Sequence, residues 1–331
     1  MCILISNLAL CIFILDFLMP IAKNLSLAYN SFAMISVGNT SDNNIKTAWL
    51  DLNNGWSGKA ALYRVRGKNF SHHDWNDCLS QPNSLFDEIE KIIKMGSRNL
   101  VAVKNLPIRD TSLQVVIKRQ YVPAGFRQFF RSLRPGKALR NFKTALRLKS
   151  WGIEVASPFA ALQHRRSLRT RQSIYITEFL SNSSNLHAFA SGRLPSTGFT
   201  EQYEIKNQVS HQLASVLASL HNRGLWHRDS KASNFVVYKD SHDKYKILLA
   251  DMDGIKRYVL PSRSRRLRSL WHLAASLMSV PDINRTDYLR TFYAYCDLTG
   301  LDHSLRRPLY RLLARRAQKK RMRKMAASRH Q

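Results

Sequence analysis

Apolar residues recur at helical spacing most clearly between Glu201 and Arg223. Residues three and four positions apart fall on one face of a helix, and the apolar residues that follow this spacing are Ile205, Val209, Leu213, Val216, Leu217 and Leu220. Thr200 is a residue type that caps helix N-termini, and Gly224 is one that ends helices. We therefore predict a helix over Glu201–Arg223 with one buried face.

Short runs of β-branched and aromatic residues predict strands. Phe235–Tyr238 and Tyr245–Leu249 are two such runs, and Lys239–Lys244 between them is polar throughout. This arrangement predicts a hairpin. Further strands are predicted at Ala60–Val65, Gly96–Val103 (after a turn), Leu113–Lys118 and Ser173–Leu180.

Other segments combine helical periodicity with a stop signal or a strongly polar face. The helices predicted on this basis are Phe86–Met95, Ala138–Trp151, Leu267–Met278, Asp287–Tyr295 and Arg306–Arg329. The last of these is strongly basic, with one apolar stripe at Leu309, Leu312 and Leu313. Such a helix could lie on an anionic membrane surface or be a solvated tail, and the sequence favours neither.

The segment Ser71–Cys78 contains four residues of types that bind metals, His72, His73, Asp74 and Cys78. Their spacing fits no standard metal site. We therefore predict a solvated turn here.

The N-terminus is apolar from Met1 to Ile21, with Asp16 inside the apolar run. Its length is just sufficient for a membrane span, but an aspartate within the span would be unfavourable. A membrane-associating segment, a packed terminal helix and an extension outside the folded enzyme remain open. The polar stretch Asn24–Asn54 predicts a linker, so the core is expected to begin near Gly55.

Charge and cysteine content narrow the class of protein. The chain has 52 Lys and Arg against 22 Asp and Glu, a net charge of +30, which predicts an anionic partner such as nucleic acid, anionic lipid or a phosphorylated glycan. Its four cysteines are scattered, without a C-x-x-C pair. This pattern argues against a zinc site and a disulfide framework, and it is typical of a reducing compartment.

The strongest chemical signal is the pattern H-R-D-x-x-x-x-N at His227–Asn234, followed by D-M-D-G at Asp251–Gly254. This is the catalytic-loop pattern of protein-kinase-like phosphotransferases, in which transfer depends on placing the acceptor hydroxyl and neutralising phosphate charge. Asp229 would orient the hydroxyl, Lys231 would reach the γ-phosphate, and Asn234 would offer an oxygen to magnesium. The predicted hairpin between the two motifs would bring Asp251 beside Asn234.

A nucleotide-binding side is predicted earlier in the chain. Leu113–Lys118 resembles the V-A-I-K strand, whose lysine binds the α- and β-phosphates. Backbone amides near Gly96 could face phosphate, although the segment has one glycine and does not satisfy G-x-G-x-x-G. The backbone near Glu178 to Leu180 matches the hinge that would hold adenine.

The helix predicted at Ala138–Trp151 lacks the glutamate that pairs with this lysine in protein kinases. Asn141 and Thr144 are the nearest polar candidates to face inward. This is the main departure from the protein-kinase pattern.

These motifs together resemble the lipopolysaccharide core kinase family, the Kdo/heptose kinases. The specific agreement is L-H-x-x-G-L-x-H-R-D-x-K-A-S-N-F at Leu220–Phe235, with D-x-D-G at Asp251–Gly254. Val115–Lys118 and G-I-x-V-A-S-P at Gly152–Pro158 agree more loosely. The resemblance spans roughly residues 95–300. The N-terminal segment and the basic tail lie outside this range.

The resemblance implies an α+β, bilobal protein-kinase-like fold with a small β-rich N-lobe and a mainly helical C-lobe. On this basis residues 1–54 are an apolar segment and linker, 55–180 the nucleotide-binding N-lobe, 181–305 the catalytic C-lobe, and 306–331 a basic tail. It also implies ATP and Mg²⁺ as cofactors.

The resemblance further implies that Asp229 is the catalytic aspartate, Lys118 the nucleotide lysine, and Asn234 and Asp251 the magnesium ligands. Asp253 would be a second ligand or a hydrogen-bond anchor. The sequence leaves the choice between Asp251 and Asp253 open. We favour Asp251 because it closely follows the predicted strand, as in D-F-G.

The leading hypothesis is an ATP-dependent kinase that phosphorylates a sugar hydroxyl, on Kdo or heptose, of the lipopolysaccharide inner core. Its partners would be a lipid-linked anionic glycan and an anionic membrane surface, at the cytoplasmic face of the inner membrane, where the N-terminal segment could act as an anchor. One alternative is a kinase for protein or a small molecule. Another is a non-catalytic kinase-like module for anionic lipid or nucleic acid, which the intact set of site residues disfavours.

Overall fold

The computed structural model describes residues 45–62, 64–65, 68–122, 133–166, 169–192, 198–259 and 262–328. A seven-stranded antiparallel sheet forms its first lobe. In chain order its strands are β1 (Lys46–Asp51), β2 (Trp56–Leu62), then, after the short pair β3 (Arg64–Val65) and β4 (Lys68–Asn69), β5 (Lys91–Gly96), β6 (Asn99–Ile108), β7 (Thr111–Tyr121), β8 (Pro158–Arg166) and β9 (Arg169–Glu178). The predictions made for residues 1–44 lie outside the described residues.

The order of strands across the sheet is β1-β2-β8-β9-β7-β6-β5. β5, β6 and β7 form a meander in which the third strand carries Lys118, and β9 pairs with β7 on its other side. In the register, Lys118 lies opposite Val101 on one side and Tyr175 on the other. The lysine is therefore in the middle of the sheet, where neighbouring strands fix its position on both sides.

The sheet begins at β1, before the predicted start of the core at Gly55. Its residues pair in continuous register with β2, from Lys46 opposite Leu62 to Asp51 opposite Ser57, and Leu50 is fully buried. The prediction of a linker up to Asn54 is therefore wrong for Lys46–Asp51. A polar sequence can form an edge strand, because such a strand exposes most of its side chains.

Ser71–Cys78 is a helix and not the predicted solvated turn: α1 spans His72–Cys78. Ser71 and Asp74 form a capping box, in which the Ser71 side chain accepts from the Asp74 N–H and the Asp74 carboxylate accepts from the Ser71 N–H. Trp75 is buried against the sheet. Among the described residues no cluster of His, Cys, Asp and Glu could hold a metal ion.

The prediction of a helix at Phe86–Met95 is also wrong. A 3₁₀ turn covers Ser84–Phe86, and Lys91–Gly96 is strand β5 with every residue exposed. Pairing with β6 holds this segment in an extended conformation, and its apolar residues do not form a buried helical face. Long-range pairing has overridden the local pattern.

A second, longer helix also packs on the sheet of the first lobe. This helix, α2 (Lys137–Ser150), buries Leu139 and Phe142 against β8 and β9, as predicted for Ala138–Trp151. The larger part of the sheet's core lies on strand residues such as Ile117, Leu162 and Ile176.

The second lobe is mainly helical. Its elements in chain order are β10 (Ser184–Asn185), α3 (Leu186–Gly192), α4 (Phe199–Asn222), β11 (Leu225–His227), β12 (Phe235–Lys239), β13 (Tyr245–Leu249), β14 (Ile255–Arg257), α5 (Arg263–Leu277), α6 (Arg285–Leu298) and α7 (His303–Ser328). The hairpin predicted between the two motifs is β12–β13 and is confirmed.

Helix α4 forms the centre of this lobe and buries the predicted face, including Leu213, Leu217 and Leu220. It begins one residue after Gly198, so Thr200 lies inside the helix and is not its cap. Gly224 follows its end with φ of +74°, and an added Cβ would lie 2.4 Å from the Tyr258 carbonyl oxygen. Only glycine satisfies both conditions, which explains why the chain turns here.

The basic helix α7 packs on the second lobe. Leu313 and Ala317 are buried in the lobe's core, whereas Leu312 of the predicted apolar stripe is 41% exposed. The helix is therefore not a plain solvated tail, since one of its faces packs against α5.

A sheet-rich first lobe and a helical second lobe give the predicted α+β, bilobal, protein-kinase-like fold. In the part of the chain that the structure describes, no helix has the length and apolarity needed to cross a bilayer.

We expect His221, at the centre of the second lobe, to make stability depend on pH. Its Nδ1 lies 2.7 Å from the Tyr295 hydroxyl, and burial lowers its pKa to about 3. The unfolded chain therefore binds a proton below pH 6.5 that the folded chain does not, so stability decreases as pH falls. Between pH 7 and pH 5 this one residue should lower the free energy of unfolding by about 2 kcal/mol.

The measurement is urea unfolding of the wild type and His221→Gln at both pH values. The variant should lose about 2 kcal/mol less than the wild type over this range. His303→Gln, at an exposed residue, is the control and should behave as the wild type. Equal losses in all three proteins would contradict the assignment.

Candidate active site

The catalytic loop begins at a short strand that is held by the residues after D-M-D-G. β11 pairs with β14, so that His227 lies opposite Ile255. The Arg228 N–H also donates to the Gly254 carbonyl at 2.9 Å. The two motifs that the sequence separates are therefore adjacent in space.

His227 joins these motifs through both ring nitrogens. Nδ1 accepts from the Asp229 N–H at 3.2 Å, and Nε2 donates to the Asp251 carbonyl at 2.9 Å. Burial lowers the pKa of His227, which the Asp251 carbonyl and nearby carboxylates only partly offset. The ring is thus neutral and has the one donor and one acceptor that its two partners require.

Asp229 presents a half-exposed carboxylate, 50% accessible, at the edge of the loop. The Lys231 amine lies 3.1 Å from its Oδ2. Burial acts to raise the pKa of Asp229, but the hydrogen bond and charge of Lys231, together with the charge of Lys320, hold it below its usual range. The carboxylate is therefore ionised at neutral pH and able to accept a hydrogen bond.

Asn234 is buried just before strand β12. Its Nδ2 donates to the Asp229 carbonyl at 2.7 Å, so its side-chain oxygen is the atom that can meet a cation. The Ala250 N–H donates to the Asn234 carbonyl at 2.9 Å. This contact closes the β12–β13 hairpin and brings Asp251 next to Asn234.

Lys118 contacts both aspartates of D-M-D-G. Its Nζ lies 3.0 Å from Asp251 Oδ1 and 3.4 Å from Asp253 Oδ2. Burial acts to lower the pKa of Lys118, but the two carboxylates outweigh it and raise the pKa. The lysine of the first lobe is therefore held as a cation by the second lobe.

Asp253 is the more enclosed of the two aspartates and has additional partners on α2. Lys137 forms an ion pair with its Oδ2, and Asn141 donates to its Oδ1. Burial acts to raise the pKa of Asp253, but Lys118 and Lys137 hold it below its usual range.

Helix α2 thus offers an amide and an amine where protein kinases offer a glutamate. Asn141 faces inward as predicted, whereas Thr144 donates to the Arg140 carbonyl of its own helix. Lys137 was not predicted, although it lies one helical turn before Asn141 and hence on the same face.

The side chains of Asp251 and Asp253 differ in their exposure to solvent. The side chain of Asp251 is 31% exposed and that of Asp253 is 16% exposed. Asp253 is engaged by four groups of the first lobe: Lys118, Gln120, Lys137 and Asn141. Asp251 therefore has the better access to a bound cation, and Asp253 has the geometry of an anchor.

Gly96 and Glu178 lie at two other points of the first lobe. Gly96 ends β5 opposite Asn99, and Asn99 lies opposite Gln120, two residues after Lys118. The hairpin tip is thus at the end of the sheet where Gln120 approaches Asp253, at 3.5 Å.

Glu178 ends β9, where the chain passes to the second lobe. The N–H groups of Glu178 and Phe179 donate to the carbonyls of Ser157 and Gln114. The Leu180 carbonyl accepts from the Ser183 hydroxyl at 2.6 Å.

Helix α5 supports the catalytic loop through hydroxyl groups that the sequence did not reveal. The Ser230 hydroxyl donates to the Ser269 carbonyl at 2.8 Å, and the Ala232 N–H donates to the Ser276 hydroxyl at 2.8 Å. The Ser269 hydroxyl also donates to the His227 carbonyl at 3.2 Å. Serine on a helix has no distinctive local signal, so only the tertiary structure identifies these contacts.

We expect Gly254→Ala to destabilise the protein, because this glycine packs directly on His227. An added Cβ would lie 2.8 Å from His227 Cε1 and 3.0 Å from Nδ1. Overpacking of this kind lowers the free energy of unfolding by about 1–3 kcal/mol, which urea unfolding can measure. The control is Gly192→Ala in α3, where a Cβ would meet no atom within 4 Å. Equal stability of the two variants would show that His227 can move aside.

Comparison with known protein families gives a match over the middle of the chain. Residues 113–295 match the lipopolysaccharide kinase (Kdo/WaaP) family. No curated protein sequence matches the chain.

Two solved structures show weaker likeness. One is described as WaaP in complex with acyl carrier protein, with 18% identity, a TM-score of 0.49, and coverage of 72% of this chain and 92% of that chain. The other is a Toxoplasma gondii specific rhoptry antigen kinase domain, with 13% identity, a TM-score of 0.42, and coverage of 68% and 81%.

The family match, and not these two likenesses, identifies the chain. It covers more than half of the 331 residues and includes the Lys118 strand, the catalytic loop and the D-M-D-G turn. The chain therefore belongs to the lipopolysaccharide kinase (Kdo/WaaP) family and is an ATP-dependent phosphotransferase.

Proposed function

We propose that this kinase transfers the γ-phosphoryl group of ATP to a hydroxyl of a Kdo or heptose sugar in the lipopolysaccharide inner core. The observation that carries the proposal is one connected set of contacts in a member of this family. Lys118 contacts Asp251, the Asp251 carbonyl binds His227, and His227 and Asn234 both bind the backbone of Asp229. A kinase needs these groups in one place.

In this proposal Asp229 acts on the acceptor. Its ionised carboxylate accepts a hydrogen bond from the sugar hydroxyl and turns the oxygen toward the γ-phosphorus. The hydroxyl proton passes to Asp229 as the new phosphorus–oxygen bond forms and the bond to ADP breaks. Lys231, which is 44% exposed beside Asp229, would neutralise charge on the transferred group.

The nucleotide would lie between the lobes. Lys118 would bind its α- and β-phosphates, as the lysine of the third strand does in protein kinases. Backbone amides near Gly96 would approach the phosphates from the hairpin tip. Near Glu178, the Leu180 N–H is the hinge group that we expect to bind the adenine.

The residues at the site fit a magnesium ion. Asp251 and Asn234 offer a carboxylate and an amide oxygen, the hard ligands that Mg²⁺ prefers. Magnesium characteristically uses one or two carboxylates and completes its coordination with substrate phosphates and water. When bound, it would neutralise charge on those phosphates. We assign Asp253 to holding Lys118 and α2 in place.

The proposed place of action is the cytoplasmic face of the inner membrane. ATP is available there, and a lipid-linked glycan would be presented from the bilayer. The net charge of +30 favours an anionic surface and an anionic acceptor over a neutral one.

We expect Asp229→Asn to lower kcat about 10²–10⁴-fold, because the amide cannot take the hydroxyl proton. The measurement is transfer of labelled phosphate from ATP to purified Kdo-bearing lipid A. Asp243→Asn is the control, since Asp243 lies in the exposed β12–β13 turn with φ of +58°, a conformation that asparagine tolerates. An Asp229→Asn enzyme as active as this control would refute the assigned role.

Asp251→Asn and Asp253→Asn should fail in different ways. The first should raise the Mg²⁺ concentration needed for half-maximal rate. It should lower the free energy of unfolding by less than the second, because Asp251 is more exposed and Lys118 keeps Asp253 as its counter-charge. The second should lower the free energy of unfolding by about 3 kcal/mol, because Lys118 and Lys137 would lose a shared counter-charge. The reverse pattern would exchange the roles of the two aspartates.

A further inference from the structure

The segment that follows D-M-D-G is basic and contains no acids. Between Gly254 and Pro281 the chain has no Asp or Glu. Its Lys and Arg residues are Lys256, Arg257, Arg263, Arg265, Arg266 and Arg268. A segment of one charge that directly follows the proposed metal ligands is suited to attract an anion to this side of the site.

The strand register places Lys256 on the ribbon that leads into the catalytic loop. β14 pairs antiparallel with β11, and Lys256 lies directly opposite Trp226. Side chains of directly opposed residues share one face of a ribbon, with Cβ atoms about 5 Å apart. Lys256 is exposed, and Asp229 follows Trp226 by three residues. The amine therefore extends into solvent from the ribbon that carries Asp229 at its end.

Two arginines of α5 stack on aromatic rings of the same ribbon. The Arg268 guanidinium lies 5.9 Å from the centre of the Trp226 ring, and the Arg265 guanidinium lies 4.1 Å from the centre of the Tyr258 ring. The centres of the two rings are 6.1 Å apart. Stacking occupies the face of a guanidinium and leaves its N–H edge to bind an oxyanion. One aromatic pair therefore holds two cationic groups.

The contacts of Ser269 bring Arg268 next to the catalytic loop. The Ser269 carbonyl accepts from the Ser230 hydroxyl at 2.8 Å, and the Ser269 hydroxyl donates to the His227 carbonyl at 3.2 Å. His227 and Ser230 lie on either side of Asp229 in the chain. Arg268 directly precedes Ser269, and its side chain is exposed. Its backbone is therefore one residue from a serine that contacts the loop on both sides of Asp229.

Lys256, Arg265 and Arg268 together form a basic patch. In the part of the chain that the structure describes, none of the three forms an ion pair. The nearby carboxylate of Asp229 is paired with Lys231. A patch without its own counter-charge gains most from an anion that a ligand brings to it.

We propose that the basic patch binds an anionic group of the acceptor, a carboxylate or a phosphate, and so holds the sugar hydroxyl at Asp229. The inference rests on the proposed function and deepens it, because it assigns acceptor recognition to β14 and α5. Arg268 offers paired N–H donors in a fixed plane, and Lys256 and Arg265 add charge beside it. These residues position the acceptor and take no part in proton transfer.

The test compares Arg268→Met with Arg311→Met. Methionine keeps a long side chain over the Trp226 ring but removes the charge, and Arg311 is an exposed arginine on α7 that receives the same substitution. Kdo-bearing lipid A in detergent micelles is the probe, and both its direct binding and its phosphorylation are measured. Arg268→Met should raise KM and Kd for this acceptor about tenfold or more, as loss of a hydrogen bond between charged groups does. Arg311→Met should match the wild type.

Two further variants separate anion binding from packing. Arg268→Lys keeps the charge without the paired donors and should raise the acceptor KM about threefold, between the wild type and Arg268→Met. Lys256→Gln leaves both stacked arginines in place and should also raise the acceptor KM about threefold. KM for ATP should stay within about twofold in every variant, because the nucleotide phosphates are assigned to Lys118.

The source of the anionic group is distinguished by the acceptor. Removing the lipid A phosphates should abolish the difference between Arg268→Met and the wild type if a phosphate is bound. If the sugar carboxylate is bound, the difference should persist with the dephosphorylated acceptor and disappear when that carboxylate is reduced to an alcohol. A difference that survives both changes would show that the patch does not bind an anionic group of the acceptor.

The outcomes separate the inference from the proposed function. If the wild type phosphorylates the acceptor while Arg268→Met and Arg311→Met have equal KM and Kd, the inference is overturned and the function stands. A change in kcat alone, with acceptor Kd unaltered, also overturns it, because Arg268 would then act only on the loop. If Arg268→Met does not fold, Lys256→Gln decides by the same comparison. If the wild type neither binds nor phosphorylates the acceptor, both fail.

Discussion

The contact between Asp253 and the cations of the first lobe is the constraint on which the site depends. A carboxylate enclosed to this degree needs positive partners, and Lys118 and Lys137 provide them from a strand and a helix of the other lobe. In protein kinases the helix carries the acid and the strand carries the base. Here the acid lies on the loop after the hairpin, and the helix contributes Lys137 and Asn141. The acid that holds Lys118 therefore comes from the second lobe and not from the helix of the first lobe.

A second layer of neutral hydrogen bonds works within the second lobe. His227 joins the backbone of Asp229 to that of Asp251, and serines of α5 hold the loop from behind. These contacts involve no net charge, so they fix the geometry without changing the electrostatics of the cleft. Exposed charges of the catalytic loop lie at its edge, on Asp229 and Lys231, whose side chains are about half exposed.

The sequence predicted the parts of the structure that local pattern encodes. The β12–β13 hairpin was predicted from two β-branched and aromatic runs around a polar turn, and the buried face of α4 from apolar residues three and four positions apart. Both are present. Two wrong predictions have physical causes. Lys91–Gly96 is a strand because it pairs with β6, and Ser71–Cys78 is a helix because Ser71 and Asp74 form a capping box at its start. Lys137 was missed because its partner Asp253 is distant in sequence, and the same holds for Ser269 and Ser276.

The position of β5 at the end of the sheet has a consequence for how the protein behaves in concentrated solution. An outer strand offers unpaired backbone groups to any second chain, and β5 also exposes Ile92, Ile93 and Met95. Lys91 and Lys94 interrupt this apolar run with exposed charge. Two copies that approached each other along this strand would bring four ammonium groups together, so the lysines protect the enzyme against self-association at this edge of the sheet.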